Sequence, residues 1–345
     1  MKQRTLFLFS IITCCSAFGL LKYHDLELPK HFPKPYFDFE KESLTNAKIQ
    51  LGRALFYDPI LSSDNSISCA SCHSPYNAFA HTDHDLSHGI NDSVGFRNAP
   101  ALFNLAWQKS FMWDGAFNHL DMQALAPISD SKEMNETIEN VVLKLNKNPH
   151  YAQLFYAAFY DSIATGSRTL KALSQFQLTL VSCNSKYDKV KEGKTKFTSQ
   201  EKKGYELFKK NCNACHTEPM FTNYGFANNG LPVDPTLNDF GKYRLTKNSK
   251  DSLLFKIPTL RNLKYTYPYA HDGRFKKIRE MLNHYTDGIQ RQPSLSKELK
   301  KYIVLSSNEK SDLLAFLLTL NDSTFIFNPL NKFPQTISSG KEGKK

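Results

Sequence analysis

The sequence predicts a mainly α-helical protein built from two similar domains with long loops. Residues 69–73 and 212–216 share the pattern C-x-x-C-H, and each follows a stretch that reads G-x-x-L-F, at residues 52–56 and 204–208. Apolar residues elsewhere recur at helical spacing, and the alternation that is typical of strands is scarce. A chain of 345 residues is long enough for two domains of ordinary size.

Composition excludes several other classes of protein. Hydrophobic residues make up 41% and charged residues 22%, which is ordinary globular usage and not that of a disordered chain, a collagen or a coiled coil. Lysine and arginine (44) exceed aspartate and glutamate (33) by 11. On a chain of this length the excess is mild and gives no reason to expect nucleic acid as a partner. It either steers an acidic protein partner or simply keeps the protein soluble.

The N-terminus has the features of an export signal. Lys2 and Arg4 precede a short apolar run and then small residues, which predicts a signal peptide over residues 1–19. The run is shorter than the roughly 20 residues that cross a bilayer. We expect a periplasmic protein. Cys14 and Cys15 leave a lipid-modified N-terminus open, and an uncleaved anchor is the other alternative.

Four cysteines and two histidines form the repeated motif. C-x-x-C-H is the spacing at which two thiols reach the two vinyl groups of one c-type haem while the histidine binds the iron. A four-cysteine zinc site would not need both histidines, and a redox dithiol would sit in a βαβ pattern that is missing here. The sequence therefore predicts two covalently bound c-type haems, attached through Cys69, Cys72, His73, Cys212, Cys215 and His216.

The repeat also predicts the domain organisation. We expect a first haem domain over residues 45–190 and a second over 195–330, both resembling cytochrome c. A lysine-rich stretch at 186–196 reads as the linker between them. Residues 20–44 form an N-terminal extension, and the Gly/Ser/Lys-rich residues 331–345 read as a flexible tail. Helices are predicted at 138–145, 151–160, 170–181, 278–285 and 311–320.

With these motifs placed, the chain resembles the bacterial di-haem cytochrome c peroxidase family, which includes the methylamine-utilisation maturase. Besides the haem motifs, the resemblance rests on separate stretches at residues 51–59, 97–100, 113–115, 258–262 and 269–273. It implies an enzyme that reduces hydrogen peroxide to water. Electrons from a small c-type cytochrome or a cupredoxin would enter at the second haem and pass to the first.

The family pattern implies three catalytic residues near the first haem. Gln123 and Glu133 would lie over its open face, where a carboxylate can take a proton from peroxide and return it to the leaving oxygen. Gln123 would orient water or peroxide. Trp113 would lie between the haems as an electron relay. Without the resemblance, Glu133 reads as a solvated side chain and Trp113 as a packing residue.

His88 is the ambiguous residue of the first domain. Several bacterial peroxidases have a histidine in a similar His-Gly stretch that binds the resting iron and leaves on reduction. Here His88 precedes Gly89, but His81 and His84 compete for that role, or all three belong to a hydrated loop. If His88 binds iron, the enzyme needs reductive activation.

The second haem has an unusual candidate for its sixth ligand. In the peroxidase branch a methionine lies 14 residues after the histidine of a Tyr-x-His motif; counting from His271 gives Tyr285. A tyrosine here matches the maturase branch. Thioether sulfur favours ferrous iron, whereas phenolate favours higher oxidation states. His284, Met281, or no sixth ligand at all, are the alternatives.

The resemblance also implies a calcium ion between the domains. Asn98 would contribute, together with backbone carbonyls of Thr266 and Pro268, and water would complete the 6–8 oxygen ligands that calcium takes. His271 would organise the second haem's surroundings through hydrogen bonds.

Two rival functions stay open. One is a maturase-like enzyme that uses peroxide to oxidise residues of a protein partner, which Tyr285 favours. The other is a non-catalytic di-haem electron-transfer cytochrome, which would leave Gln123 and Glu133 without a role. The sequence does not decide between a monomer and a homodimer.

Overall fold

The computed structural model describes residues 29–334. The expected signal peptide, Cys14, Cys15 and residues 335–345 lie outside this range. Over the described residues, no helix is both long and apolar enough to cross a membrane.

Regular structure between residues 29 and 334 is almost wholly helical, which confirms the mainly α fold class. The α-helices are α1 (Asn46–Tyr57), α2 (Cys69–Cys72), α3 (Leu120–Gln123), α4 (Leu125–Ser129), α5 (Ile138–Asn146), α6 (Pro149–Phe159), α7 (Gly166–Leu178), α8 (Lys186–Lys191), α9 (Ser199–Asn211), α10 (Tyr243–Thr246), α11 (Ile278–Asn283), α12 (Ser307–Leu318) and α13 (Ser323–Ile326). Two short strands, β1 (Phe226–Ala227) and β2 (Phe255–Lys256), pair antiparallel, with Phe226 opposite Lys256. A π-helical turn, His284–Gly288, extends α11.

The five helices predicted from apolar spacing correspond to α5, α6, α7, α11 and α12, with ends that differ by up to four residues. The largest differences lie at N-termini, because polar caps start a helix before its apolar stripe begins. Thr165 caps α7 by accepting a hydrogen bond from the backbone of Arg168. Ser306 and Glu309 form a capping box at the start of α12.

The two domains repeat one helix crossing. In the first, α1 packs across α7, and in the second, α9 packs across α12. A glycine stands at each crossing: a Cβ on Gly52 would lie 1.8 Å from the carbonyl oxygen of Ala172, and a Cβ on Gly204 would lie 1.9 Å from that of Asp312. The glycine of each G-x-x-L-F stretch therefore lets two helix backbones approach closely.

Each crossing supports a separate apolar core. Phe56 and Phe176 are fully buried in the first core, and Phe208 and Phe316 are fully buried in the second. The two phenylalanines of each pair are in ring contact, with centroids 5.2 Å apart in the first domain and 5.1 Å apart in the second. Two packed cores explain why the chain divides into two units.

The lysine-rich stretch is not a linker, and this prediction was wrong. Residues 186–191 form helix α8, whose Tyr187 and Asp188 are buried. Asp188 accepts two hydrogen bonds from the guanidinium of Arg261, both 2.8 Å long, and one from His31 at 2.9 Å. The lysines alternate with inward-facing residues, so the composition of the stretch concealed a packed helix.

The flexible tail was predicted to begin at residue 331, which is too early in the chain. Asn331 is buried, and its carbonyl oxygen accepts a hydrogen bond from the hydroxyl of Tyr57. The Lys332 carbonyl accepts one from Arg53 Nε at 2.8 Å, and Phe333 packs edge-on against Tyr57. Residues 331–333 thus belong to the first domain.

A buried arginine joins the two domains. Arg97 of the first domain donates two hydrogen bonds to Asp239 of the second, at 2.6 and 2.8 Å, and one to Asp114 of its own domain at 2.8 Å. Both carboxylates are almost completely buried. Separating such a pair is costly, because it leaves an uncompensated buried charge. The pair therefore holds the two domains in position.

The helix crossing yields a stability prediction. Gly204→Ala should lower the free energy of unfolding by about 1–3 kcal/mol, the usual cost of overpacking, since the new methyl group meets a helix backbone that must move. Chemical denaturation of the purified protein measures the loss. Gly95→Ala is the control, because its Cβ would meet only the Ser87 carbonyl, at 3.5 Å. Equal losses in both variants would contradict the crossing argument.

Candidate functional site

Both motif histidines are held by loop carbonyls. His73 Nδ1 lies 2.8 Å from the carbonyl oxygen of Phe79, and His216 Nδ1 lies 3.2 Å from that of Phe221. A nitrogen that faces a carbonyl must carry the proton, so Nε2 keeps the lone pair that binds a metal. Burial lowers the pKa of each histidine to about 4, which keeps both rings neutral.

A second carbonyl faces each ring. The Pro258 carbonyl oxygen lies 3.1 Å from His216 Nδ1, and the Pro100 carbonyl faces His73 in the same way. Phe79 and Phe221, which supply the first acceptors, both have left-handed backbone angles, with φ of 59° and 56°. The two sites are thus built by the same loop geometry.

The motif cysteines do not form a metal-thiolate or dithiol centre. Burial raises the pKa of the Cys69 and Cys212 thiols to about 12 and that of Cys72 to about 11, whereas reactive dithiols need a lowered pKa. Across the described part of the chain, no group of three or more His, Cys, Asp or Glu side chains is arranged to hold a metal ion. The zinc and redox-dithiol alternatives are therefore disfavoured.

One large cavity starts at the second motif and reaches the first domain. Its second-domain wall includes Cys212, Cys215, His216, Met281 and Tyr285. The rest of its wall is largely apolar and comes from both domains, including Asn98, Phe103, Met112, Trp113, Gln123, Phe255, His271 and Leu317. A flat apolar group bound at the second motif would therefore extend toward Trp113.

Comparisons with known proteins agree with this geometry. Residues 46–196 match the model of the family described as di-haem cytochrome c peroxidase, and residues 201–321 match the cytochrome c model. Methylamine utilization protein MauG of Methylorubrum extorquens is 38% identical over 304 residues, 85% of this chain and 82% of that protein. The chain belongs to the di-haem cytochrome c peroxidase family.

Two further members show the spread of this family. Cytochrome c551 peroxidase of Nitrosomonas europaea is 34% identical over 281 residues, 79% of each chain. The crystal structure of a MauG-like protein associated with microbial copper homeostasis superposes with a TM-score of 0.78 at 29% identity, covering 90% of this chain and 99% of that one. The recognised family is thus confirmed, and its members carry both peroxidase and MauG names.

The residues at the second motif fit a haem of this family. Cys212 and Cys215 would hold its vinyl groups, and His216 Nε2 would bind its iron. The Tyr224 hydroxyl lines the same cavity, is buried, and has no hydrogen-bond partner within residues 29–334. An unpaired buried donor is costly, so it suits a polar edge of the bound group.

The residues at the first motif fit a haem as well. Cys69 and Cys72 stand on the single turn of α2, and His73 follows at its C-terminal end. His81 lies close enough to affect the pKa of His73, and its Nε2 is buried without a hydrogen-bond partner in the described range. This atom also suits a polar group bound beside the motif.

Glu133 lies beside the first motif, as a distal carboxylate requires. Its charge raises the pKa of both Cys69 and Cys72. Burial raises the pKa of Glu133 itself to about 7, and Asp130 adds to the effect. The close contact of Gly89 with the Glu133 backbone fixes the loop, since a Cβ on Gly89 would lie 2.6 Å from Glu133 Cα. Glu133 is therefore partly buried and not fully solvated.

Trp113 and Gln123 both line the cavity. The Trp113 indole donates to the Asn98 carbonyl at 2.8 Å, and its own carbonyl accepts from the backbone of Lys256 in the second domain at 2.7 Å. Gln123 Nε2 lies 3.5 Å from the sulfur of Met112. Trp113 is thus fixed at the contact between the domains.

His88 is close to the first motif. Its carbonyl oxygen lies 3.9 Å from Cys72 Sγ, whereas its ring bonds to Asp92 at 2.5 Å. His84 packs against this ring at 4.6 Å, and His81 follows at 5.9 Å. The atom that bonds to Asp92 is Nδ1, so Nε2 stays available to a metal, and iron ligation by His88 stays a prediction.

Of the three candidate sixth ligands of the second haem, two lie in the wall of the cavity. Tyr285 and Met281 line it, but His284 does not, because its Nε2 bonds to the Asn229 carbonyl at 2.9 Å. Burial raises the pKa of Tyr285, and the neighbouring Cys212 and Cys215 thiols add to the shift. We retain Tyr285 as the proposed sixth ligand.

The expected calcium site is only partly assembled. Asn98 contacts the Pro268 carbonyl, but through Nδ2 at 2.7 Å, and a donor nitrogen does not bind a cation. Calcium would require the amide oxygen at this place. Thr266 lines the cavity nearby. The ring of His271 stacks on Phe255 at 3.7 Å, so it supports the cavity wall by packing.

Sequence reasoning missed three residues that hold this site together. Arg97 and Asp114 are next to Asn98 and Trp113 in the chain and form an ion pair, and Arg97 also binds Asp239 of the second domain. Lys256 sends its ammonium group into the first domain, to Gln108 at 2.7 Å and the Ser110 carbonyl at 3.1 Å. Arg97 and Asp114 stand inside family stretches, which was the available signal, whereas Lys256 lies outside them; a lone charged residue reads as a surface residue.

The distal candidates yield a redox prediction. Replacing the hard phenolate ligand by a soft thioether, in Tyr285→Met, should raise the reduction potential of the second haem by tens to hundreds of millivolts, within the ~0.8 V range that axial ligands span. Spectroelectrochemical titration measures it. Met281→Leu is the control and should leave the potential unchanged. A shift in Met281→Leu alone would identify Met281 as the ligand.

Proposed function

We propose that this protein reduces hydrogen peroxide to water at the first haem, with electrons that a small c-type cytochrome or cupredoxin delivers to the second. The observation that carries the proposal is the carboxyl of Glu133, a partly buried residue beside Cys69 and Cys72. An electron-transfer cytochrome would have no use for a carboxyl whose pKa is raised to about 7 next to an iron site, so the non-catalytic alternative is disfavoured.

Glu133 is suited to move one proton within the peroxide. When bound, the haems would supply the redox chemistry that reduces peroxide. A carboxyl with a pKa of about 7 is present in both protonation states near neutral pH, so it can accept a proton from one oxygen and return it to the other. Gln123, on the cavity wall, would orient peroxide or water by hydrogen bonds.

Trp113 is suited to relay electrons between the haems. It lines the cavity that begins at the second motif, and hydrogen bonds from both domains fix its ring and its backbone. Asp114, the next residue, bears a buried negative charge that would stabilise a transiently oxidised indole. Calcium, if bound by Asn98, Thr266 and Pro268, would stiffen the same contact.

Oxidation of a protein partner is the second candidate function. Tyr285 lines the cavity at the second motif, at the position where the peroxidase branch would have methionine, and relatives named methylamine utilization protein MauG are 38% and 35% identical. A phenolate ligand disfavours uptake of electrons from an ordinary cytochrome and favours storage of an oxidising equivalent. For either function we propose export to the periplasm.

Steady-state assays separate the two functions. We expect the haem-loaded protein to oxidise a reduced small cytochrome c or a cupredoxin when peroxide is added, with two donor molecules consumed per peroxide. The absorbance of the reduced donor measures the rate. Absence of donor oxidation, in protein that still reacts with peroxide, would overturn the peroxidase proposal in favour of the second candidate.

The raised pKa of Glu133 predicts the pH profile. Its carboxylate, needed as proton acceptor, is the minor form below pH 7, so kcat/KM for peroxide should rise as pH increases through about 7. In Glu133→Gln this rise should disappear, and the rate should be about 10²–10⁴-fold lower. The exposed Glu139→Gln is the matched control. Unchanged turnover in Glu133→Gln would remove Glu133 from the mechanism.

A further inference from the structure

The loop at residues 108–117, the tryptophan loop, is closed on itself and conformationally constrained. Phe111 and Phe117 pair across its base, where the Phe111 N–H donates to the Phe117 carbonyl at 2.7 Å. Met112 and Gly115 both have left-handed backbone angles, with φ of 66° and 77°. Such an angle is uncommon for a residue with a side chain, so surrounding contacts are needed to hold Met112 in this conformation.

Strands β1 and β2 of the second domain form the surface against which the tryptophan loop packs. The Phe226 ring of β1 approaches Gly115 so closely that an added Cβ would lie 2.5 Å from Phe226 Cζ. The backbone N–H of Lys256 in β2 donates to the Trp113 carbonyl at 2.7 Å. Phe226 and Lys256 are directly opposite each other in the strand pair. The second domain therefore contacts the loop on both strands.

The side chain of Lys256 adds two hydrogen bonds to the same loop. Its ammonium group donates to Gln108 Oε1 at 2.7 Å and to the Ser110 carbonyl at 3.1 Å, and it lies 5.9 Å from the centre of the Phe111 ring. Burial lowers the pKa of Lys256 to about 7, while the charge of Asp114 opposes the shift. An ammonium group withdrawn from water and bonded to neutral acceptors is costly, so a stabilising ion pair does not explain this residue.

The tryptophan loop also reaches the open side of the first haem site. Met112 Sδ lies 3.5 Å from Gln123 Nε2, and both residues line the cavity together with Trp113. Through one loop, Lys256 thus holds the proposed electron relay and a neighbour of the proposed distal amide.

We propose that Lys256 is a positioning residue for electron transfer between the two haems. This role rests on the proposed function, in which Trp113 relays electrons from the second haem to the first. Lys256 neither gives nor takes an electron; its three hydrogen bonds fix the tryptophan loop against the second domain. Electron transfer slows steeply as the gap between two groups widens. Loss of these bonds therefore slows the transfer and leaves the reaction with peroxide at the first haem unaffected.

Stopped-flow oxidation of the fully reduced holoenzyme tests this role. One equivalent of hydrogen peroxide takes two electrons and two protons to give two water molecules, so each haem gives up one electron. The absorbance of the first haem reports the reaction with peroxide, and that of the second haem reports the electron transfer. Lys256→Met has a side chain of similar length without a donor. Its second-haem phase should be about 10–100-fold slower, the cost of a small misplacement, while its peroxide phase keeps the native rate.

Two further variants separate positioning from general damage. Gln108→Leu removes one acceptor of the same ammonium group from the first-domain side, so it should slow the same phase. The double variant should be no slower than Lys256→Met, because both changes break one network. Lys250→Met, which alters an exposed lysine of the second domain, is the control and should match the native protein. Independent, additive losses from Gln108→Leu and Lys256→Met would contradict the shared contact.

Hydrogen exchange and redox titration give readouts that do not depend on turnover. Amide exchange of the holoenzyme, followed by mass spectrometry, should be faster over residues 108–117 in Lys256→Met, because the loop has lost contacts with the second domain. The reduction potentials of both haems should keep their native values, since no ligand changes. Unchanged exchange, or a shifted potential that accounts for the slower phase, would overturn the positioning role.

The native protein separates this failure from that of the proposed function. If its haems react with peroxide and Lys256→Met transfers the electron at the native rate, the positioning role alone is wrong. Native haems that do not respond to peroxide contradict the proposed function, and the role of Lys256 in it as well.

Discussion

The hydrogen bond from each motif histidine to a loop carbonyl is the interaction on which the rest of this structure depends. It fixes the tautomer, so that Nε2 of His73 and of His216 is the atom left for iron. The carbonyls come from Phe79 and Phe221, whose left-handed backbone turns the loop back beneath the ring. The helix crossings, with glycine at the contact, then bring an aromatic core against each loop. Burial of the rings follows from that packing and keeps them neutral at working pH.

A second constraint couples the two sites to each other. Arg97 binds one carboxylate in each domain, and Asn98 beside it accepts the indole hydrogen of Trp113 while its backbone N–H donates to the His271 carbonyl. One short segment of the first domain therefore sets the position of the second domain, of the tryptophan and of the cavity wall at once. The ion pair is buried, so its geometry does not depend on the ionic strength of the surroundings.

The sequence was informative where the chemistry is local. The haem motifs, the G-x-x-L-F helices and the five apolar periodicities each lie within a few neighbouring residues, and all appear where they were expected. Contacts between distant residues gave no such signal. Asp188 and Arg261 are 73 residues apart, so a buried ion pair was invisible in a lysine-rich stretch that reads as a linker. Tyr187 and Glu218 likewise meet only in three dimensions, and the pKa of Glu133 depends on burial that no spacing reports.

The loop that grips each histidine uses only main-chain oxygens as acceptors. Every residue type supplies a carbonyl, so substitutions in these loops preserve the hydrogen bond to the histidine as long as the backbone conformation is kept. The side of each haem site opposite the histidine is lined by side chains, so substitutions there change the chemical groups that face the haem. Substitutions can therefore change the residues that face the sixth position, where Tyr285 is the proposed ligand, while the carbonyls that hold the histidines stay the same. One repeated loop geometry thus provides two histidine sites whose facing side chains can differ from each other.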